Sequence, residues 1–477
     1  LKNAVKVFLL ALFAVLILGL TACRGDDTPA PPAPPPPPAP APAPPPPPPA
    51  PAPGNQEEVP DVGFVMPTTP ITLTFWWWGG DARNTAVENA VNIFMDRYPN
   101  ITIEIQPNTA PFADATQDLL TRVAAETEAD INQVNFNWVH LWGRGDNVFA
   151  DLAQFRHIID FDQFAPSDID SMTLSDGQIA GLPHGMNARM LLTNMTFLAE
   201  FGLDALPTDF EEFIALAERI SVDNAELDTA EANRYLHVPF SNLDIDHFIL
   251  TQLYSMTGRE PVANRRWQYT VDEVEAVLNM LLRLDAAGGQ PSFENHDTIN
   301  NRQNAVWMSG RAASSFQWIN NPQLDASTYG GGDRIDEFRL FPFPQPGGNV
   351  VAAARASLGH AISRHSAHPE IAAYFLNFLY TDPEAIRAVG AELGVPGARD
   401  AFAIMSGEGR IHQLQEQGIE LLNTLPTAFM TIYWEDASLR NPRYAIYDEV
   451  RTGRITAREG AERMVSEQQE AIDAIYR

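Results

Sequence analysis

Trp76-Trp77-Trp78-Gly79-Gly80 runs straight into Asp81, Arg83 and Asn84, and the pairing of an indole with planar polar side chains recurs at Asn137-Trp138 and at Trp318 with Asn320. An aromatic face stacks on flat apolar surface, while the amide, guanidinium and carboxylate groups beside it donate and accept hydrogen bonds. That combination suits holding a small polar ligand, a sugar in the first instance. Reactive groups are scarce by comparison. The ten histidines are scattered without an HExxH or any Cys/His spacing, and His365-Ser366-Ala367-His368 has no acidic or thiol companion that would suggest a site, so no metal site is expected. Gly-x-Ser-x-Gly is absent. Lys2 and Lys6 are the only lysines, and all 29 remaining basic residues are arginines, which removes Schiff-base chemistry, a pyridoxal phosphate anchor and a Walker A loop. No cofactor and no catalytic residue are expected. Sixty-one carboxylates guarantee chance pairs, however, so an anchored glycoside hydrolase stands as an alternative. The net charge of −30 repels phosphate backbones, and nucleic acid is not expected as a partner.

The elements that must position these residues read as α/β throughout. Ile71, Leu73 and Phe75 alternate with threonines, which predicts a strand ending at the Gly79-Gly80 turn. From Arg83 to Tyr98 the apolar residues fall three and four apart until Pro99, and Ile101, Ile103 and Ile105 alternate again. This strand, helix, strand order predicts a βαβ unit with a parallel sheet, and ligands of such sheets sit beyond the carboxyl ends of the strands. A helix over Phe112 to Glu126 and a strand over Ile131 to Phe136, ending in Asn137-Trp138, follow. Thr208 with Glu211, Thr270 with Glu273 and Thr456 with Glu459 have capping-box spacing, and Asp382-Pro383 places a proline at a first helical position.

The N-terminus has a different logic. Lys2, Lys6 and the apolar run Val7 to Leu18 form a signal peptide over residues 1–22, too short to span a bilayer. Cys23 is the only cysteine, so it has no partner for an intramolecular disulfide, and its place directly after Leu20-Thr21-Ala22 resembles the lipidation cysteine of bacterial lipoproteins. Pro29 to Pro53 is almost unbroken proline and alanine. Such a tract favours polyproline II and reaches roughly 75 Å, so residues 23–70 read as a semi-rigid tether. About 400 residues remain, enough for two cores.

Thr72 to Gly80, the run Phe94-Met95-Asp96-Arg97-Tyr98-Pro99-Asn100-Ile101, Gly181 to Arg189 with Leu192-Thr193-Asn194, Val306 to Ala313, His368 to Leu379 and Gly394-Val395-Pro396 stand in the order of the family 1 extracellular solute-binding proteins. The stretch 71–477 resembles these sugar-type receptors of ABC importers. The resemblance implies a two-lobed, periplasmic-binding-protein-like α/β fold whose discontinuous lobes are joined by a hinge and close on a solute. It places the first lobe at about 71–180 and 308–354, with the second at about 181–307 and 355–477. Its crossings would fall near Leu182 to Asn187 and near Val306 to Ser309.

On that frame the ligand candidates are Trp78, Asp81, Arg83 and Asn84 at the first turn, Asn137 and Trp138 in the same lobe, Asn187 and Arg189 at the crossing, and Trp318 and Asn320 after the return. Trp434 lies where the family often places a second-lobe aromatic. At least one of Trp76 and Trp77 belongs to the core, Trp307 belongs to lobe packing, and Trp267 fits core or surface equally. The chain lacks the adjacent tyrosines of iron receptors in this family, and a cationic amine over tryptophan faces is the runner-up to a sugar. The implied partners are importer permease subunits and the membrane, reached through Cys23, with a monomeric receptor on the extracytoplasmic face. A surface carbohydrate receptor without a transport role is the remaining alternative.

Overall fold

Strand β1 (Ile71–Trp78) buries both of its faces, with Leu73, Phe75 and Trp77 on one side and Trp76 on the other. Such a strand is stable only inside a sheet covered on both sides. In the computed structural model, which describes residues 64–142, 148–174, 176–225, 232–291, 304–332 and 334–475, this is what surrounds it. The expected signal peptide, Cys23 and the expected tether up to residue 63 lie outside the described residues. β1 pairs in parallel with β2 (Ile101–Asn108) along its whole length and with β3 (Ile131–Asn135) on its other edge. The helix Asp81–Arg97 between β1 and β2 lays Val87, Ala90, Val91 and Phe94 on the sheet, which completes the expected βαβ unit. β4 (Leu182–Pro183) and β12 (Leu358–Ile362) extend the sheet in the order β2-β1-β3-β12-β4, with β12 antiparallel to β3 and β4. The helix Pro369–Thr381 packs on it through Phe375, whose ring lies 5.6 Å from Phe75 and 5.0 Å from Phe94.

A second sheet forms around β5 (Met186–Asn194), the long strand that follows the first crossing. Its order is β13-β11-β5-β9-β6, built from β6 (Tyr235–His237), β9 (Ala312–Trp318), β11 (Ala352–Ala356) and β13 (Thr427–Phe429), with β10 (Phe338–Phe341) also on β5. A short hairpin, β7 (Val262–Ala263) and β8 (Arg266–Trp267), lies apart. The helices Phe210–Asn224, Asn242–Thr257, Val271–Ala286, Ala437–Arg451 and Ala457–Ile475 share one apolar core with this sheet.

Two lobes are therefore present, but their boundaries differ from the expected ones. Strands β9, β10 and β11 belong to the second sheet, so residues 308–354 are not part of the first lobe. Leu358 to Ile411 instead pack in the core that holds Leu73 and Phe75, so 355–477 is not all second lobe. The return crossing falls at Ala356–Leu358. Trp307 is lobe packing, with its Nε1 donating to the Asp325 carbonyl at 2.8 Å. The misplacement has a physical origin: Ala312-Ala313-Ser314-Ser315 and Ala352–Ala356 are strands of small residues without the alternation that announces a strand.

Local signals fared better. Thr270 and Glu273 form a complete capping box, as do Thr456 and Glu459, and Asp382 caps the helix that Pro383 opens. At Thr208 the cap is one residue later, because the Asp209 carboxylate accepts from Glu211 N at 2.8 Å and Glu212 N at 3.3 Å. His365 also has an acidic companion after all: its Nδ1 lies 2.9 Å from Glu128 Oε1, contributed from far along the chain.

Candidate functional site

The first two crossings run side by side where the lobes meet. Ser357 N donates to the Gly185 carbonyl and His184 N to the Leu358 carbonyl, both at 2.8 Å. Gly185 is required there by close approach, since a Cβ would stand 2.6 Å from the Val395 carbonyl oxygen and 2.9 Å from Gly397 N. Next to this seam is a cavity of about 450 Å³ between the lobes. Phe136, Ser171 and Thr173 line it from the first lobe and Arg355, Thr431 and Tyr433 from the second. A further cavity of about 510 Å³ also lies between lobes, lined by Asp168, Arg399 and Phe402 on one side and Ile419, Leu422 and Asn423 on the other. A third, more open one of about 490 Å³ lies at the carboxyl end of β1, between Trp78, Asp81, Arg83 and Glu392.

The structure divides the sequence candidates among these places. Trp78 ends β1 half-buried, its backbone N–H donating to Gln133 Oε1 at 3.0 Å and its ring 5.0 Å from Trp138. Asp81 is exposed beside it at the helix start. Arg83 is a strap, donating through Nε to the Glu392 carbonyl at 2.9 Å and through Nη1 to the Trp78 carbonyl at 3.1 Å. Asn84 serves packing, with its Oδ1 accepting from Trp77 Nε1 at 2.9 Å. β3 stops at Asn135, so Asn137 and Trp138 do not end a strand but open the helix Phe136–Trp142. Asn137 Oδ1 accepts from Asn135 Nδ2 at 2.6 Å, and Trp138 is buried against Trp76, Val134 and Val139 in the first lobe.

In the second lobe, Asn187 and Arg189 are buried in β5. Arg189 pairs with Asp244 and donates to the Phe316 carbonyl at 2.6 Å. Its guanidinium carbon lies 5.0 Å from the Phe316 ring and 5.2 Å from the Trp318 ring. Trp318 is half-buried, with the Arg355 guanidinium 4.6 Å from its ring centre and the His247 ring edge-on at 5.4 Å. Burial, reinforced by Arg189 and Arg355, holds His247 well below its ordinary pKa, so a neutral ring meets Trp318. Asn320 presents its backbone carbonyl to Gln415 Nε2 at 2.5 Å. Trp434 is the clear departure from expectation. Only 1% exposed, it stacks on Trp267 at 5.9 Å and 11° and has Arg443 4.0 Å from its ring centre, which makes it core of the second lobe.

Asn187, Arg189 and Trp318 thus gather beside the crossing, with Asn135 and Phe136 reaching them from the first lobe through Arg355. Arg355, Phe136 and Glu435 were not foreseen. The available signal for Arg355 was its charge, the single ionisable group in the alanine run Ala352–Ala356. Asn187 Oδ1 and Thr431 Oγ1 are buried without a hydrogen-bond partner among the described residues. Such atoms are uncommon and ask for an explanation.

Asp168 is a separate feature of the seam. It is buried beside Gly397, with Ser167 Oγ donating to its Oδ1 at 3.3 Å, and burial pushes its pKa up to about 6. A folded-state pKa above the unfolded value near 3.9 means that the contribution to stability is full below pH ~4 and is lost as pH rises through 6. Asp168→Asn cannot ionise, so it is expected to exceed the parent in stability by ~2 kcal/mol at pH 8 and by little at pH 4. Urea unfolding at the two pH values reads the difference; a gap that does not change with pH would mean that the carboxyl is not titrating there.

Comparison with known proteins follows the same lines. A family model described as bacterial extracellular solute-binding protein matches residues 79–386. Among solved structures, the chain superposes on a de novo designed esterase with a TM-score of 0.75 at 20% identity, covering 86% of this chain and all of that one. An oligogalacturonide-binding protein from Yersinia enterocolitica, in complex with saturated digalacturonic acid, gives 0.72 at 20% identity over 85% of this chain and 100% of the other. Maltose-bound MalE3 of T. maritima gives 0.65 at 17%, over 84% and 99%. At these identities the likeness is one of fold.

Proposed function

The chain belongs to the bacterial extracellular solute-binding proteins, and from that premise we propose that it is the receptor of an ABC importer for a sugar or oligosaccharide. The receptor is monomeric and tethered outside the membrane through a lipid on Cys23. The family places the working part outside the cytoplasm, and no helix among the described residues is long and apolar enough to cross a membrane.

The observation that carries the reading is the interlobe cavity of about 450 Å³. Its size suits a small ligand, and its lining mixes aromatic rings (Phe136, Tyr433) with hydroxyls (Ser171, Thr173, Thr431). On the cavity wall, the buried Thr431 Oγ1 has no hydrogen-bond partner among the described residues and could be satisfied by a solute hydroxyl. Trp78 and Asp81, at the carboxyl end of a parallel strand, are the candidates for a longer sugar's outer units. Solved structures of the same fold bind digalacturonic acid and maltose, which supports a saccharide as the first class to test. Solute touching both lobes favours the closed form by its differential affinity, and the closed form is what permease subunits would read.

Thermal unfolding screened against mono- and oligosaccharides tests this. A sugar at a hundred times its dissociation constant adds ~2.7 kcal/mol to stability. Stabilisation by amines and by no sugar would replace the sugar with a cationic solute. In cells that make the full chain, Cys23→Ser is expected to move the protein from the membrane to the soluble fraction, and a variant that stays in the membrane after detergent-free washing would overturn the lipid anchor.

A further inference from the structure

Arg355 is rooted in the second lobe, on β11 opposite Asn187, yet both lobes hold its side chain. From the first lobe, Asn135 Oδ1 accepts from its Nη1 at 3.1 Å and the Phe136 ring centre lies 5.4 Å from the guanidinium carbon. From the second, Trp318 lies at 4.6 Å and Glu435 Oε1 is 3.1 Å from Nε. We propose that Arg355 is an interlobe latch that sets the balance between the open and closed forms before any solute arrives. The inference rests on the two lobes moving about their crossings, as the proposed receptor does.

The way its partners are divided between lobes supports this role. Asn135 ends β3 and Phe136 begins the next helix, so both travel with the first lobe. Glu435 and Trp318 travel with Arg355. Opening therefore never strands a bare cation, because Glu435 neutralises it in both forms. What opening removes is one charge-assisted hydrogen bond and one of two aromatic contacts. A 3.1 Å hydrogen bond does not survive a rigid-body separation of the lobes, whereas a guanidinium kept on Trp318 and Glu435 is ready to re-form it. Arg355 also lines the interlobe cavity, so its position fixes the shape that a solute meets. Because a receptor binds through its competent state, the fraction held closed multiplies directly into apparent affinity.

Labels at the exposed Asp96 and Asp204, one on each lobe of the full chain, report the lobe separation without solute. Arg355→Met keeps the length and apolar stem but loses the cation. Asn135→Ala removes the acceptor in the opposite lobe and leaves Arg355 with Glu435. Each is expected to shift the distance distribution toward the open form, with the closed-to-open ratio falling about tenfold, equivalent to ~1.4 kcal/mol. The double variant should open little further than Arg355→Met alone, because the two changes remove one shared contact. A lowered melting temperature with an unchanged distribution in both single variants would make Arg355 a packing residue and overturn the latch. The readout needs no sugar, so an empty solute screen leaves it intact, and an unchanged distribution in a protein that does bind sugar rejects the latch alone.

Discussion

Trp434→Ala is expected to lower the stability of the protein by ~3–5 kcal/mol, the cost of emptying a large buried aromatic site. The indole packs against the Trp267 ring and the Arg443 guanidinium and is 1% exposed, so its removal leaves a cavity beside a ring and a cation. Urea unfolding checks the value, and the midpoint should fall without a change in slope. Trp434→Phe keeps a ring on Trp267 and should recover part of the loss, which guards against the alanine variant failing to fold. An unchanged midpoint combined with lost solute binding would return Trp434 to the solute site, where its sequence position had suggested it belonged.

That contrast shows which parts of this molecule a sequence can disclose. β1, its helix and β2 were legible because each carries a local period, alternation at Leu73 and Phe75 and three-four spacing from Val87 to Phe94. The boxes at Thr270 and Thr456 were legible because a cap is a contact between residues three apart. The family order located the first crossing near Gly185 for the same reason, since a short run of residue types suffices. The second crossing was not legible. β11 is nearly all alanine, and what assigns it to the second sheet is its pairing with β5, more than 160 residues earlier in the chain. The site behaved likewise. Arg189 and Trp318 meet because they are opposite one another in the β5–β9 register, and nothing local to either announces it. Trp434 and Trp318 are alike as sequence, each an indole near polar neighbours. Only the arginines stacked on them, Arg443 in a sealed core and Arg355 at a cavity wall, separate a packing role from a cleft role.

Asp246→Ala is expected to cost ~3–5 kcal/mol, as much as Trp434→Ala, because it strands a buried cation. Asp246 accepts from Arg443 Nε at 2.8 Å and Nη2 at 2.9 Å, and from the Tyr447 hydroxyl at 2.7 Å. Both members of the pair are buried. Burial alone pulls the Arg443 pKa down, and the Asp246 carboxylate more than reverses this; removing Asp246 leaves the cost of burying the guanidinium with nothing to offset it. Arg443 also donates to Gln468 Oε1 at 2.9 Å and to the Trp434 carbonyl, which joins the helices Asn242–Thr257, Ala437–Arg451 and Ala457–Ile475 to the segment Ile432–Glu435. Adding Arg443→Met to Asp246→Ala should restore part of the lost stability, since an apolar side chain of similar length leaves no charge unpaired. A double variant less stable than either single one would show that the ion pair itself, rather than the stranded charge, holds these helices together. Because Tyr433 and Glu435 stand on the tethered segment, with Tyr433 on the cavity wall and Glu435 against Arg355, the single variant should also weaken solute binding under conditions where it remains folded. Titration well below its unfolding midpoint separates that loss of affinity from the loss of fold.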